Sequence, residues 1–247
     1  MDLRERLANE QRHPWELARA RFFRARVGEH AALDSVQRVL DVGAGDGWFA
    51  HELRSDLPAQ ATIVCWDVNY RSADLATPTG PGIVRTADAP TGTFSIVTVL
   101  DVLEHIDDAE AFLADDVVPR LAPGGTAVFS VPAHEWLFSD HDRMLMHHRR
   151  YRPAEFRALV ARHLRIVSDG SLFTSLLAPR LVAVGVERLG RHRQPTGIGA
   201  WRGGRALTGA VTATLEADAR LGRFLARRRV RLPGLSTWIV ATSKVHG

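Results

Sequence analysis

The sequence has almost no cysteine, since Cys65 is its single one. One cysteine cannot form an intrachain disulfide or a cysteine metal cluster, so a disulfide-stabilised scaffold is excluded. An unbroken run of about 18 apolar residues is also missing, which excludes a spanning helix of the usual length. The charged start, residues 1–6, does not contain the apolar region of a signal peptide. We therefore expect a cytoplasmic protein.

Lysine is equally scarce: Lys244 is the only one, and arginine supplies the other basic side chains. The formal net charge of +4 is compatible with a nucleic-acid partner. However, the arginine clusters at 188–193 and 227–231 contain no interleaved aromatic residues of the kind that stack on bases. We therefore predict no nucleic-acid partner.

Neither an internal repeat nor a low-complexity linker divides the 247 residues, so we predict one domain. Short apolar runs alternate with helix-like segments along the first half. The predicted strands are 38–42, 61–67, 82–85, 94–100 and 126–131, with helices over 48–57 and 108–121 between them. This alternation predicts an α/β fold with a doubly wound, parallel sheet. Ligands bind such sheets at the carboxyl ends of the strands.

The predicted domain divides into five segments. Residues 1–35 form N-terminal lid helices, 36–131 the cofactor-binding core, 132–171 an acceptor loop and sixth strand (164–168), 172–231 an added helical element, and 232–247 the last strand (235–242). The connection 132–153 is long and polar, and such loops within a compact domain are usually functional. The lid, which includes His13, Trp15 and Arg19, packs over the cofactor or simply on the sheet.

Residues 172–189 are apolar on almost every side, which predicts one buried helix, broken at Pro179. Its expected place is the protein's own core or a homodimer contact. A peripheral membrane contact is the alternative, because anionic lipid attracts arginines that flank an apolar segment. The flanking residues are Arg180, Arg188, Arg191 and Arg193.

A glycine-rich loop, Asp41-Val-Gly43-Ala44-Gly45-Asp-Gly47, follows the first predicted strand. Glycine lets the backbone turn sharply and approach a ligand closely. A nicotinamide-binding loop needs a further glycine where this chain has Trp48, and Asp41 would repel a pyrophosphate. A carboxylate there suits the cationic methionine end of S-adenosylmethionine.

Acidic residues also follow the next three predicted strands. Asp67, before Val68, can accept hydrogen bonds from ribose hydroxyls, and Asp88, before Ala89, can accept from an adenine amino group. Each alone could be a helix cap or turn residue, but together with the glycine loop they predict one cofactor site. Its predicted residues are Asp41, Gly43, Ala44, Gly45, Gly47, Asp67, Val68, Asp88, Ala89, Asp101 and Val102.

Residues 38–49, Asp67, Asp88 and 101–105 resemble motifs I to IV of the class I S-adenosylmethionine-dependent methyltransferases, and 121–130 resemble their post-motif segment. The resemblance covers roughly residues 36–131. It implies a seven-stranded Rossmann-like sheet with an antiparallel last strand, and methyl transfer from S-adenosylmethionine. Asp67 replaces the glutamate often found at its position, and its shorter side chain still permits the ribose contact.

Two further resemblances concern the acceptor. Residues 103–106 are similar to the type 11/23-like group that includes quinone-biosynthesis O- and C-methyltransferases. Residues 131–151 are similar to methyltransferases found beside glycosyltransferases in polysaccharide and glycolipid pathways. They imply O-methylation of a small-molecule, glycan or lipid-linked acceptor. A non-catalytic cofactor-binding or assembly protein is the alternative, since the same fold serves many functions.

A hydroxyl acceptor needs a base, and histidine is the commonest one near neutral pH. Among His105, His134, His141, His147 and His148, we predict that His105, His134 and His141 are catalytic; a structural hydrogen bond is the alternative for His105. Arg149, Arg150 and Tyr151 are predicted to bind a carboxylate or phosphate of the acceptor; a solvated surface run is the alternative.

The histidine spacing fits no standard zinc signature, so no metal is predicted. The resemblance to quinone-pathway enzymes leaves one alternative open, in which Glu104 and His105 hold a divalent ion.

Overall fold

The computed structural model describes residues 12–189, 201–228 and 230–244. Within these ranges seven strands form one sheet: β1 (Arg38–Val42), β2 (Thr62–Trp66), β3 (Ile83–Thr86), β4 (Phe94–Leu100), β5 (Leu121–Pro132), β6 (Leu164–Leu172) and β7 (Ser236–Ser243). Their spatial order is β3-β2-β1-β4-β5-β7-β6. The first five strands are parallel, and β7 runs antiparallel to both of its neighbours. The predicted sheet and its antiparallel last strand are confirmed.

Helices cover both faces of the sheet: α1 (Pro14–His30), α2 (Trp48–Arg54), α3 (Ser72–Ala76), α4 (Ala109–Phe112), α5 (Asp140–Met144), α6 (Pro153–His163), α7 (Leu177–Arg188) and α8 (Arg205–Arg227). The α4 segment continues as a π-helical turn (Leu113–Val117) and a 3-10 turn (Val118–Arg120). In the described part of the chain, no helix has both the length and the apolarity to cross a bilayer.

The side chains of each central strand alternate between two cores. Val39 and Ile96 point to the face covered by α1, α2 and α8, whereas Leu40 and Val97 point to the face covered by α4 and α6. All four are fully buried. Because both faces are covered, the strands are nearly continuous apolar runs. The strand order reverses between β2 and β4 around β1, and this switch point is where a ligand crevice opens in such sheets.

Two predicted boundaries in the second half are wrong. Leu172 ends β6 instead of beginning a helix, and Phe173 has a left-handed backbone conformation (φ 64°) that separates the strand from α7. Pro179 therefore lies in the first turn of α7, where no intrahelical hydrogen bond is lost, and breaks no helix. The predicted fifth strand, 126–131, also begins earlier than expected: β5 starts at Leu121 and includes residues 123–125 at an irregularity in its pairing with β4.

The apolar residues of α7 are not buried as predicted. Val184 is buried, whereas Val182 is 66% exposed and Leu189 is 80% exposed. The expectation that this helix packs into the core is therefore wrong for the described residues. A homodimer contact and a membrane contact stay predictions, and Arg191 and Arg193 lie outside the described ranges.

The N-terminal helix packs on the sheet and also borders a cavity, while its role as a lid over the cofactor stays a prediction. Phe22, Phe23 and Val27 are buried against the sheet, which is simple packing. The first turns of the same helix border a large cavity through Trp15 and Arg19. Residues 1–11 of the predicted lid lie outside the described ranges.

Candidate active site

A cavity of about 590 Å³ opens at the carboxyl ends of the central strands. Gly43 follows β1, Asp67 follows β2, Asp101 follows β4, and Ser236 begins the antiparallel β7 at the same edge. The parallel sheet thus brings residues far apart in the chain to one opening. This is the crevice that the strand order predicts.

The glycine loop has the backbone geometry that its residues allow. Gly43, Gly45 and Gly47 have φ values of 62°, 55° and 77°, in the left-handed region that side chains disfavour. A Cβ atom at Gly43 would lie 2.5 Å from Cγ2 of Val102. The loop is held by the N–H of Gly43, which donates to the carbonyl of Trp66 at 2.7 Å. Glycine at position 43 is therefore required by a close approach.

Asp41 lies at the base of this loop and does not border the cavity directly. Its Oδ1 accepts a hydrogen bond from Oγ1 of Thr98 at 2.6 Å, whereas its buried Oδ2 has no hydrogen-bond partner among the described residues. Burial raises the pKa of Asp41 to about 6. The unsatisfied oxygen is a place for a cationic partner, because burying a carboxylate without one is unfavourable.

Asp67 borders the cavity as predicted. Its Oδ2 accepts from the N–H of Gly45 at 2.9 Å, and its Oδ1 accepts from the backbone and side-chain amides of Asn69 at 2.9 and 3.1 Å. The adjacent Val68 also borders the cavity and is 72% exposed. A carboxylate and an exposed apolar side chain therefore lie together at the end of β2.

Asp88 and Ala89 are exposed and do not border the cavity. Asp88 is held in a turn, where its N–H donates to Oγ1 of Thr86 at 3.2 Å. The prediction that these two residues join the cofactor site is therefore not supported by their position. Ala44, Gly45 and Gly47 lie in the loop but are also not on the cavity wall.

Asp101 and Val102 both border the cavity after β4. Asp101 has a φ of 57°, a conformation that is uncommon for residues other than glycine and concentrates at functional sites. Its Oδ1 accepts from Oγ of Ser130 at 2.8 Å, and its Oδ2 pairs with Nη2 of Arg19 at 2.7 Å. This ion pair ties α1 to the end of the sheet.

Glu104, His105 and His147 form a cluster on the far side of Asp101. One ligand-type atom from each lies within 4.8 Å of the others, a donor set that can hold a metal ion. Glu104 is fully buried, and neither carboxylate oxygen has a hydrogen-bond partner among the residues described. Burial, reinforced by Asp101, raises the pKa of Glu104 well above its usual range. Sequence reasoning considered Glu104 only as a metal ligand.

Asp142 organises the acceptor loop from a fully buried position. Its Oδ1 accepts from Nε of Arg150 at 2.7 Å and bonds Nδ1 of His147 at 2.9 Å, and its Oδ2 accepts from Arg180 at 3.1 Å. Burial alone would raise the pKa of Asp142, but the His147 and Arg150 contacts hold it well below its usual range. Its ionised form fixes the ring of His147 in the cavity wall.

The three predicted catalytic histidines are not together. His105 and His141 border the main cavity, whereas His134 borders a second cavity of about 240 Å³. The backbone at His134, with a φ of 66°, turns it away after β5. Burial lowers the pKa of His141 to about 4, so it is neutral at pH 7 and a weak base. The structure therefore separates His134 from His105 and His141, and its catalytic role stays a prediction.

The predicted acceptor-binding residues are also separated. Arg150 is buried and borders the main cavity. Arg149 is directed outward and donates to the carbonyl of Asp107 at 2.8 Å, while the hydroxyl of Tyr151 donates to the carbonyl of Leu103 at 3.0 Å. Arg180 of α7 borders the cavity instead, although the sequence placed it only beside an apolar helix.

Comparisons with known proteins agree with this architecture. A family model described as a methyltransferase domain matches residues 8–175. A solved putative sarcosine dimethylglycine methyltransferase from Galdieria sulphuraria is 14% identical, with 91% of this chain and 85% of that chain covered and a TM-score of 0.56. The [4+2]-cyclase SpnF is 19% identical over 96% of this chain and 86% of its own, with a TM-score of 0.55.

A phosphoethanolamine N-methyltransferase 2 from Haemonchus contortus, solved in complex with S-adenosyl-L-methionine, is 14% identical. The match covers 93% of this chain and 52% of that chain, with a TM-score of 0.54. Identities this low show a shared fold alone. A search of curated proteins gave no match.

Proposed function

The chain belongs to the methyltransferase-domain family, and from this premise we propose that it is an S-adenosylmethionine-dependent enzyme that O-methylates a small polar acceptor. One observation carries the proposal: the glycine loop and Asp67 border the same cavity as the cluster of Glu104, His105 and His147. A cofactor-binding edge and a group of proton acceptors therefore open into one space.

The cofactor is S-adenosylmethionine, which when bound supplies a methyl group carried on a sulfonium. The residues present fit it. Gly43 keeps the loop open, Asp67 offers carboxylate oxygens to hydroxyl groups, and Val68 offers an exposed apolar surface to an aromatic base. The unsatisfied Oδ2 of Asp41 lies under the loop as a counter-charge for a cationic ligand.

The acceptor end must align a hydroxyl and take its proton, since methyl transfer is an in-line displacement. Glu104 suits proton removal, because its carboxylate borders the cavity without a hydrogen-bond partner among the described residues and burial raises its pKa. His105 and His147 lie beside it, with ring centroids 4.7 Å apart. We assign proton removal to this cluster, in place of His134 and His141.

A divalent cation is the second candidate for the same cluster, as the quinone-pathway resemblance implied. Glu104, His105 and His147 offer one oxygen and two nitrogen ligands, and Asp142 bonds the second ring nitrogen of His147 as outer carboxylates do at metal sites. A cation there would polarise the acceptor hydroxyl. The metal hypothesis is supported if a chelator abolishes turnover and Mg²⁺, Mn²⁺ or Zn²⁺ restores it. It is rejected if a chelator does not change turnover.

The proposal is tested by release of S-adenosylhomocysteine when candidate acceptors are offered, with cofactor binding measured by calorimetry. Hydroxyl, amine and glycan acceptors of similar size separate O-methylation from the alternatives. A chain that binds cofactor and methylates none of them would instead be a cofactor-binding or assembly protein. SpnF is named as a [4+2]-cyclase and shares this fold, so the fold alone does not determine the reaction.

A lipid-linked acceptor would bring the protein to a membrane surface, and α7 is the element that tests this. Leu181, Val182 and Val186 are exposed on it, and Leu189 is exposed directly after its end. Binding to anionic vesicles that fades as salt rises would support a lipid-linked acceptor. A stable dimer in sedimentation, with no vesicle binding at low salt, would assign the helix to a homodimer.

A further inference from the structure

Two arginines at the acceptor end share one carboxylate. Arg150 reaches Asp142 through Nε at 2.7 Å, and Arg180 reaches it through Nη2 at 3.1 Å. Both arginines border the main cavity, with side chains that are only 7% and 19% exposed. Guanidinium groups stay protonated in proteins, so one acid faces two fixed positive charges.

The acids near these two arginines are already engaged. Oε2 of Glu135 accepts from the N–H of Arg150 at 3.1 Å, and Oε1 of Glu187, which also attracts Arg180, accepts from the N–H of Asp140 at 2.7 Å. Asp101 is paired with Arg19 at 2.7 Å. His147 also bonds Asp142, so that carboxylate is shared further. Two guanidinium groups therefore share Asp142 at the wall of a cavity, where charges interact more strongly than in bulk water.

Arg180 is also incompletely satisfied. Its Nη2 donates to Oγ of Ser139 at 2.6 Å and to Asp142, but its Nε–H is buried without an acceptor in the described part of the chain. A buried donor on a charged group is costly to leave unpaired. The guanidinium is thus held by fewer acceptors than its donors can use.

We propose that Arg180, with Arg150 beside it, binds an anionic group in this cavity, so that the methyl acceptor is a carboxylate- or phosphate-bearing molecule. This rests on the proposed methyl transfer, whose acceptor would occupy the same space. The planar guanidinium fork matches the oxygens of carboxylates and phosphates, and two guanidinium groups at the cavity wall disfavour cationic acceptors. Arg180 takes the role that Arg149 and Tyr151 were expected to have.

A purely structural role is the competing explanation, because Arg180 also joins α7 to the acceptor loop. Charge selectivity separates anion binding from a structural role. An arginine that only joins α7 to the acceptor loop would not distinguish an anion from a neutral molecule of the same shape. The probes are benzoate and its neutral counterpart benzamide, with inorganic phosphate as a small anion. Each is titrated calorimetrically into the protein loaded with S-adenosylhomocysteine.

We expect benzoate to bind about tenfold or more tightly than benzamide, as a charge-assisted hydrogen bond implies. Arg180→Met should abolish this preference, Arg180→Lys should keep part of it, and Arg188→Met should keep all of it. Arg188 is the matched control because it lies on α7, is exposed and does not border the cavity.

Equal binding of benzoate and benzamide by the wild type, or no binding of benzoate and phosphate, would overturn the proposal without any variant having to fold. A preference retained in Arg180→Met would also overturn it. Phosphate that competes with the acceptor indicates an anionic group of the acceptor itself, whereas phosphate that binds without competing indicates a free anion. Loss of S-adenosylhomocysteine binding would count against the cofactor assignment instead.

Discussion

The cofactor half of the cavity and its acceptor half are built from different kinds of contact. The proposed cofactor half, residues 41–47, 67–69 and 101–102, consists of strand ends and the loops that directly follow parallel strands. The acceptor half, Glu104, His105 and 139–150 with Arg180, is held together by side chains around Asp142, including one 38 residues away. Backbone geometry therefore organises the cofactor half, whereas buried charges organise the acceptor half. Substitutions should therefore affect the halves differently.

The largest effect is expected at the glycine loop. Gly45→Val places a β-branched residue at a φ of 55° beside Asp67, so cofactor binding should be largely abolished. Gly124→Val is the matched control, because Gly124 has a φ of 72° and nothing within 4 Å of a Cβ atom. Calorimetry with S-adenosylhomocysteine should show loss in the first variant alone. Wild-type affinity in Gly45→Val would contradict the cofactor assignment.

The next effect is on folding stability in the acceptor half. Asp142→Asn removes the buried charge that two arginines and His147 share, and breaking such a network costs about 3–5 kcal/mol. Asp140→Asn, on the same helix at an exposed position, should change the free energy of unfolding by about 0.5 kcal/mol or less. Denaturant unfolding measures both. Equal stability of the two variants would show that the charge network does not hold this half together.

Histidine substitutions test which cavity contains the chemistry. His105→Ala should lower turnover by about 10²-fold, the usual size of a general-base effect, with cofactor affinity unchanged. His134→Ala should leave turnover unchanged, because His134 borders the second cavity. The measurement is the initial rate once an acceptor is known. The reverse result would place the acceptor at the second cavity.

Local patterns explain why the cofactor half could be predicted. The limits of β1 and β4 are those predicted, since apolar runs are local signals. The positions of Gly43 and Asp67 follow from the strands that precede them. Asp88 is the exception, because its distance from the cavity depends on how the chain turns after β3.

The acceptor half depends on contacts that no local pattern contains. The apolar residues near Leu172 fit a strand or a helix equally well, and pairing of β6 with β7 decides for the strand. The positive φ of His134 itself, which the sequence does not reveal, turns this residue away from the main cavity. Arg180 reaches Asp142 across the chain, so its role follows only once α7 is placed on the acceptor loop.

The smallest effect concerns the two buried aspartates, one in each half, whose pKa values shift in opposite directions. Burial raises the pKa of Asp41 from 3.8 to about 6, while the partners of Asp142 lower its pKa. A raised pKa means that the ionised form is disfavoured on folding, so Asp41 stabilises the fold below pH 3.8 and loses that contribution as pH rises through about 6. The lowered pKa of Asp142 has the opposite effect: its ionised form stabilises the fold above pH 3.8, and this stabilisation is lost as the pH falls below that value.

Asp41→Asn should therefore be more stable than the wild type above pH 6, by on the order of 2 kcal/mol, with the gain shrinking as pH falls towards 4. Asp142→Asn should be less stable at pH 7, with the deficit shrinking as pH falls below 4. Unfolding of the cofactor-free protein at pH 4, 6 and 8 measures both trends. Asp41→Asn should also weaken S-adenosylmethionine binding at pH 8, because the unsatisfied Oδ2 is the counter-charge that the cationic cofactor needs. A variant that loses stability at pH 8 and binds cofactor normally would show that Asp41 supports the loop through Thr98 alone.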